Sequence, residues 1–223
     1  MRADIRLHAI LDPTHTRGRP LAEMTRAAIA GGATILQYRD KDASTWTMMS
    51  RTREILAAAD GSGVPVIVDD RVDVALAAGA HGVHVGQTDM HPDDARRLLG
   101  PLAIIGRTIK SLDHVAAVPL DSVDYVCVGG VFATASKDNP DPPVGLAGLA
   151  GLVAAMKARR SDLPVGAIAG ITIENTPEVI AAGADGIAVI SEIFMADDPE
   201  AAAATLRGAV DRALADRPSE DRR

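Results

Sequence analysis

Carboxylates and cations recur in this chain where an apolar run has just ended, and these residues have chemistry to offer. Asp69 and Asp70 follow the β-branched run 64–68, and Gln87 and Asp89 follow the run 82–85. Clustered carboxylates repel one another and favour a cation between them. No Cys/His cluster points to zinc. Oxygen ligands suit Mg²⁺, which is commonly held by one or two carboxylates together with a substrate's phosphates. A competing reading makes Asp69 or Asp70 the cap of a helix beginning at Val72. Residues 37–41 read Gln-Tyr-Arg-Asp-Lys. A period of two puts Gln37, Arg39 and Lys41 on one side and Tyr38 and Asp40 on the other. Two cations and an amide on one face suit an anion beside a polar ring; the alternative is a charged loop closed by its own ion pairs. His84 alternates with Val83 and Val85 and reads as a satisfied structural residue.

Further along, Gly106-Arg107-Thr108 ends another apolar run. The longest connection, GGVFATASKDNPDPP, holds Thr134, Ser136 and Lys137, two hydroxyls and an ammonium among small residues. That composition suits an anion; the alternative is a Pro/Gly/Asp linker. Only 4 of the 23 basic residues are Lys, and two of them, Lys41 and Lys137, fall at strand ends. Ala169-Gly170-Ile171-Thr172 and Ile190-Ser191-Glu192 follow the last two runs. In barrels, loops so placed often cradle a phosphate with backbone N–H groups. The composite offers two anion sites, one metal site and one polar-ring site. A pyrophosphate with Mg²⁺ and a separate monophosphate would fill it.

The elements that must position these groups follow from a degenerate repeat. LAAGAHGVHV (76–85), IAAGADGIAV (180–189) and IAGGATILQY (29–38) each run from a small-residue helix end through a Gly into a β-branched strand. Strands are expected at 6–10, 34–38, 64–68, 82–85, 103–106, 125–128, 165–169 and 186–190. Helices are expected at 21–30, 45–59, 72–78, 92–99, 112–118, 146–159, 176–182 and 199–215. Eight strands alternating with eight helices predict an α/β fold, a single-domain (β/α)8 TIM barrel over residues 1–215 with a disordered tail at 216–223. An open doubly wound sheet is the runner-up, but no GxGxxG follows the first strand.

Bulk properties narrow the function class. The composition is 47% hydrophobic but only 2% aromatic, so the core must be built from Ala, Val, Leu and Ile, which suits a parallel sheet buried on both faces. A net charge of −7 argues against a general nucleic-acid surface. Cys127, the only cysteine, lies in apolar YVCVGG and reads as core. MRADIRLHAI does not read as a signal peptide, and no apolar run is long enough for a membrane. The expectation is a cytoplasmic protein acting on small-molecule substrates, with a homo-oligomer compatible with all of this.

Several motifs, in order and spacing, resemble the thiamine phosphate synthase family from about residue 7 to residue 210. They are LQYRDK (36–41), VIVDDRVDVALAAGAHGVHVGQTD (66–89), IIGRT (104–108), GGVFATASK (129–137), AIAGIT (167–172) and GADGIAVIS (183–191). The resemblance implies a transferase on a (β/α)8 barrel. Its reaction is the Mg²⁺-dependent joining of hydroxymethylpyrimidine pyrophosphate to hydroxyethylthiazole phosphate, giving thiamine phosphate and pyrophosphate. It implies that Gln37, Arg39 and Lys41 hold the pyrimidine pyrophosphate and that Asp70 and Asp89 bind Mg²⁺. Thr108 would lie near the pyrimidine, and Thr134, Ser136 and Lys137 would contact thiazole phosphate and pyrophosphate. Gly170, Ile190 and Ser191 would hold the thiazole phosphate. Arg39, Lys41 and Lys137 would act in catalysis by neutralising the leaving group. Some positions depart from the family pattern. Asp69 replaces a usual Asn, Gly130 a Pro, Ser136 a Thr, Ala169 a Gly, Thr108 a Ser and Asp40 a Glu. Asp69 matters most, because an ionised carboxylate repels a pyrophosphate to which an amide could donate; it either joins the metal site, faces elsewhere, or marks altered substrate handling. Rival readings are a thiazole tautomerase-like paralogue and a non-catalytic binder of phosphorylated thiamine precursors. The loop 129–143 is the expected lid.

Overall fold

The computed structural model describes residues 3–134 and 142–217. Eight parallel strands close into a barrel in chain order, each paired with its sequence neighbours and β1 with β8. The strands are β1 (Leu7–Leu11), β2 (Ile35–Tyr38), β3 (Val66–Asp69), β4 (Gly82–Val85), β5 (Ile104–Ile109), β6 (Tyr125–Val128), β7 (Val165–Ile168) and β8 (Gly186–Val189). Helices α1 (Leu21–Ala30), α2 (Thr45–Ala59), α3 (Val72–Ala78), α4 (Pro92–Leu99), α5 (Leu112–Ala116), α6 (Gly145–Arg159) and α7 (Thr176–Ala181) follow the first seven strands. After β8 come a short α8 (Ser191–Phe194) and the long α9 (Pro199–Ala215). The sequence pattern anticipates every element except α8 and a 3-10 turn at Pro13–His15. Both are too short to show a period. β5 runs three residues beyond its expected end at Gly106, because Arg107, Thr108 and Ile109 pair with Val126, Cys127 and Val128.

Alternation sorts each strand. Leu7, Ala9 and Leu11 pack into the layer between barrel and helices, while His8 and Ile10 face inward and line a cavity. Ile5, Ile35, Ile67 and Tyr125 form a separate apolar cluster. A second small cluster joins Ile10, Cys127, Ala188 and Ile190.

The repeat has a structural meaning that its glycines alone do not convey. The polar residue ahead of each even-numbered strand accepts an N–H from the first or second residue of the strand before it. Thr34 Oγ1 accepts from Leu7 at 3.0 Å, and His81 Nδ1 from Val66 at 3.0 Å. Asp124 Oδ2 accepts from Ile105 at 2.8 Å, and Asp185 Oδ2 from Val165 at 2.9 Å. The backbone N–H of each donates back to the same residue's carbonyl. Four such reciprocal pairs set the register of β1–β2, β3–β4, β5–β6 and β7–β8. Arg96 and Lys157 pair with Asp124 and Asp185, both at 2.7 Å. Arg217 does not belong to a loose tail as expected: its guanidinium donates to the Ile180 carbonyl at 2.6 Å and so ties the chain beyond α9 to the barrel. No described helix is long and apolar enough to cross a membrane.

Candidate active site

A cavity of about 590 Å³ opens at the carboxyl ends of the strands, the face where βα loops of this architecture assemble sites. Gln37, Arg39 and Lys41 line it, as the period of two requires. Tyr38 faces the helix layer, where its hydroxyl donates to Asp40 Oδ2 at 3.0 Å and Arg51 pairs with the same carboxylate at 2.5 Å. The two cations of the cavity are therefore not matched by the acids adjacent to them in sequence. Arg39 pairs with Asp12, and its Nε lies 3.6 Å from Asp69. Lys41 pairs with Asp69 at 2.9 Å and with Asp70.

Burial works to raise the Asp12 carboxyl, but hydrogen bonds from Thr14 and Arg39 outweigh it and leave Asp12 below the ordinary range. Asp69 goes the other way. Burial and then the neighbouring Asp70 charge raise it, against the pull of Lys41 and Arg39. Burial also acts against the Lys41 charge, yet Asp69 and Asp70 prevail and hold Lys41 more firmly protonated. Asp69 faces the cavity, where its Oδ1 accepts from Gln37 Nε2 at 2.6 Å.

Asp70 is delivered by an unusual backbone. Its φ is +59°, a left-handed conformation that costs a non-glycine residue on the order of 1 kcal/mol or more. Its N–H donates to the His84 carbonyl of β4 at 2.8 Å. Neither acid caps α3, whose N-cap residue is Arg71 without a capping side-chain bond. The turn instead brings Asp70 beside Asp89. Burial and the adjacent Asp70 raise the Asp89 carboxyl, while the Gly86 N–H, 2.7 Å from Asp89 Oδ2, opposes them. Mutually repelling oxygen ligands fit a hard divalent cation. Among the described residues no group of three or more His, Cys, Asp and Glu is placed to hold a metal. A two-carboxylate site completed by substrate oxygens is the Mg²⁺ pattern rather than that of zinc.

The wall from β4 to β6 is a polar network. His84 Nδ1 meets the Tyr125 hydroxyl at 2.9 Å and Nε2 meets Thr108 Oγ1 at 2.8 Å, so both ring nitrogens are satisfied. Gly106 makes room for it: a Cβ there would stand 2.3 Å from the Tyr125 hydroxyl and 2.5 Å from His84 Nδ1. Buried Arg107 donates to Gln87 Oε1 at 3.0 Å, and Gln87 in turn reaches the Thr108 carbonyl, which ties the loop carrying Asp89 to β5. Cys127 is buried as expected, although it also contributes to the cavity wall. Lys110 and His8 are among the lining residues that escape sequence reasoning. Lys110 adds a cation at the end of the extended β5, and a strand ended at Gly106 hides it. His8 lines the cavity from the middle of β1.

On the opposite wall, Ala169 and Gly170 both take positive φ, +89° and +64°. Gly170 permits a close approach, since a Cβ would lie 2.5 Å from the Ala133 carbonyl oxygen. Asn175 holds the turn, its Nδ2 donating to the Gly170 carbonyl at 2.9 Å and its Oδ1 accepting from Thr172 N at 2.8 Å. Ile190 and Ser191 line the same wall where β8 passes into α8, and Thr134 lines it from the β6 side. Val131 and Phe132 donate to the Ile168 and Ala169 carbonyls at 3.1 and 3.0 Å, which anchors the start of the long loop on β7. Ser136 and Lys137, and the centre of the expected lid, lie outside the described residues.

The family model described as thiamine monophosphate synthase matches residues 7–193. A thiamine-phosphate synthase of Agrobacterium fabrum is 51% identical over 216 residues, covering 96% of this chain and 97% of its own. Another, from Roseiflexus castenholzii, is 42% identical over 200 residues, covering 90% of this chain and 86% of its own. A solved thiamine phosphate pyrophosphorylase from Pyrococcus furiosus superposes with a TM-score of 0.83 at 36% identity, over 96% of this chain and 98% of that one.

Proposed function

The chain belongs to the thiamine monophosphate synthase family, and we propose from that premise that its barrel mouth joins hydroxymethylpyrimidine pyrophosphate to hydroxyethylthiazole phosphate. The observation that carries this reading is one cavity with an acid pair and two cations on one side and a small-residue, backbone-rich wall on the other. The first side suits a pyrophosphate, and the second suits a monophosphate.

In this reading Arg39 and Lys41 bind the pyrophosphate, with Lys137 joining them from the long loop. Asp70 and Asp89 are the residues that would hold Mg²⁺. When bound, the ion would offset negative charge gathering on the departing pyrophosphate. Gln37 and Thr108 orient the pyrimidine. Gly170, Ile190 and Ser191, with Thr134 and Ser136, fix the thiazole phosphate so that the ring nitrogen faces the pyrimidinylmethyl carbon. The C–O bond to pyrophosphate breaks with its electron pair leaving on oxygen, and the thiazole nitrogen lone pair forms the new C–N bond. No side-chain nucleophile is needed, so the protein's contribution is positioning and charge neutralisation. The setting is cytoplasmic and the ligands are small molecules.

The test is direct. Incubation with both substrates and Mg²⁺ should release pyrophosphate and thiamine phosphate in equal amounts. Asp89→Ala should lower turnover by orders of magnitude while the melting temperature stays near that of the parent. No product with Mg²⁺ or Mn²⁺ overturns the synthase reading, and near-normal turnover of the Ala variant overturns the acid pair as the metal site.

A further inference from the structure

Arg107 is a cation where the fold calls for an apolar side chain. On β5 it stands in register between Val85 of β4 and Val126 of β6, both part of the apolar layer between barrel and helices. Thr108, the next residue, points the other way and lines the cavity, as alternation requires. Arg107 is only 6% exposed. Burial works against its charge, and Asp93 in the first turn of α4 acts in its favour without pairing with it. Its Nε meets no acceptor among the described residues. Its guanidinium is held by the bond from Nη2 to Gln87 Oε1 at 3.0 Å. A buried charge met by a neutral acceptor adds little to stability, because the solvation it gives up is not returned.

The effect on Gln87 is more specific. The guanidinium fixes the amide oxygen, and the amide nitrogen is thereby turned to the Thr108 carbonyl. Gln87 lies inside the turn that Gly86 and Asp89 close, where the Gly86 N–H donates to Asp89 Oδ2 at 2.7 Å. A donor rooted behind the sheet therefore pins this turn to β5. We propose that Arg107 is a positioning residue for the metal site: it holds Gln87, and through Gln87 the turn of Asp89, so that Asp89 stands beside Asp70 before a cation arrives. Two like charges left to themselves move apart, and the strut opposes that movement. Ligands fixed from behind in this way bind a metal more tightly. The inference rests on Asp70 and Asp89 as the Mg²⁺ ligands and goes beyond it by naming what holds them.

The test measures binding of the Mn²⁺–pyrophosphate complex by electron paramagnetic resonance, and of metal-free pyrophosphate by calorimetry, with the full-length protein. Arg107→Met fills the space without a donor. It should weaken binding of the Mn²⁺ complex by about tenfold, the range of one hydrogen bond from a charged group. Affinity for metal-free pyrophosphate, the KM for thiazole phosphate and the melting temperature should stay at the parent's values. Gln87→Leu cuts the same connection, so the double variant should be no weaker than either single one. Arg107→Lys, which keeps a charged donor, should recover part of the loss. A folded Arg107→Met that binds the Mn²⁺ complex like the parent overturns the proposal, and so does equal weakening of metal-free pyrophosphate. If Arg107→Met does not fold, parental Mn²⁺ binding in Gln87→Leu, a change at an exposed residue, is the refuting result. Asp89→Ala separates the two levels. If it abolishes Mn²⁺ binding while the Arg107 and Gln87 variants bind normally, the positioning role alone fails. If it binds Mn²⁺ like the parent, the acid pair fails as the metal site and the positioning role falls with it.

Discussion

Asp69→Asn is the most informative single change in this site, and its direction follows from charge. The Asp69 carboxylate stands 2.9 Å from Lys41 Nζ and 3.6 Å from Arg39 Nε, the two cations meant for the pyrophosphate. A phosphate oxygen sharing Lys41 with Asp69 would sit about 5 Å from that carboxylate. Two unit charges at that separation repel by about 3 kcal/mol at an effective dielectric of 20. Lys41 is 41% exposed, so solvent screens part of this. A net penalty of about 1–2 kcal/mol remains, or roughly 5–30-fold in affinity. Asparagine removes the charge, and its side-chain oxygen can still accept from Gln37 Nε2. Arg39 keeps Asp12 and Lys41 keeps Asp70, so neither cation is stranded. The variant should therefore lower the KM for the pyrimidine pyrophosphate by about that factor, with kcat within a few-fold and the KM for thiazole phosphate unchanged. Steady-state kinetics at fixed Mg²⁺ read this out. A KM that stays the same or rises would refute the competition argument. Asp69 would then be an organiser whose charge the site requires.

Three further outcomes follow from local geometry. Ala169 sits at φ +89°, where an L side chain costs about 1–2 kcal/mol and glycine's extra chain entropy about 0.5–1 kcal/mol. Ala169→Gly should therefore raise stability by up to about 1 kcal/mol and the melting temperature by about 2–4 °C per kcal/mol; a lower melting temperature would contradict the strain. Asp124→Ala strands the Ile105 N–H and leaves Arg96 with backbone carbonyls but without its carboxylate, and should cost about 1–3 kcal/mol in urea unfolding, whereas Asp124→Asn, which keeps one acceptor, should lose less. Buried His8 titrates at about 3 when folded and near 6.5 when unfolded. The unfolded chain therefore binds the extra proton first, and stability falls by about 1.4 kcal/mol per pH unit on this account as pH drops below 6.5. His8→Phe should show a shallower loss between pH 6.5 and 5 in denaturant titrations, and parallel curves would show that His8 is not buried neutral.

What could be read from the sequence divides along a physical line. Strand ends announce themselves, because an apolar run stops and a period of two then assigns each polar residue to a side. Gln37, Arg39, Lys41, Asp70 and Asp89 were all legible in this way, and all five line the cavity. Lys110 was missed because Gly106 and Arg107 look like the end of a run, whereas pairing with β6 carries β5 on to Ile109. The polar residues of the repeat were visible as a pattern but not as a device, since Thr34, His81, Asp124 and Asp185 share only the ability to accept one N–H. His8 and His84 mark the harder limit. Each is an inward-facing histidine within a strand, and local sequence gives both the same structural reading. What separates them is which neighbours from other strands meet the ring. Tyr125 and Thr108, 41 and 24 residues away, do so for His84, whereas His8 is met by the Gln37 side chain of the adjacent strand. The surroundings of such a histidine are thus set by its partners from other strands rather than by its own type, and that information exists only once the barrel has closed.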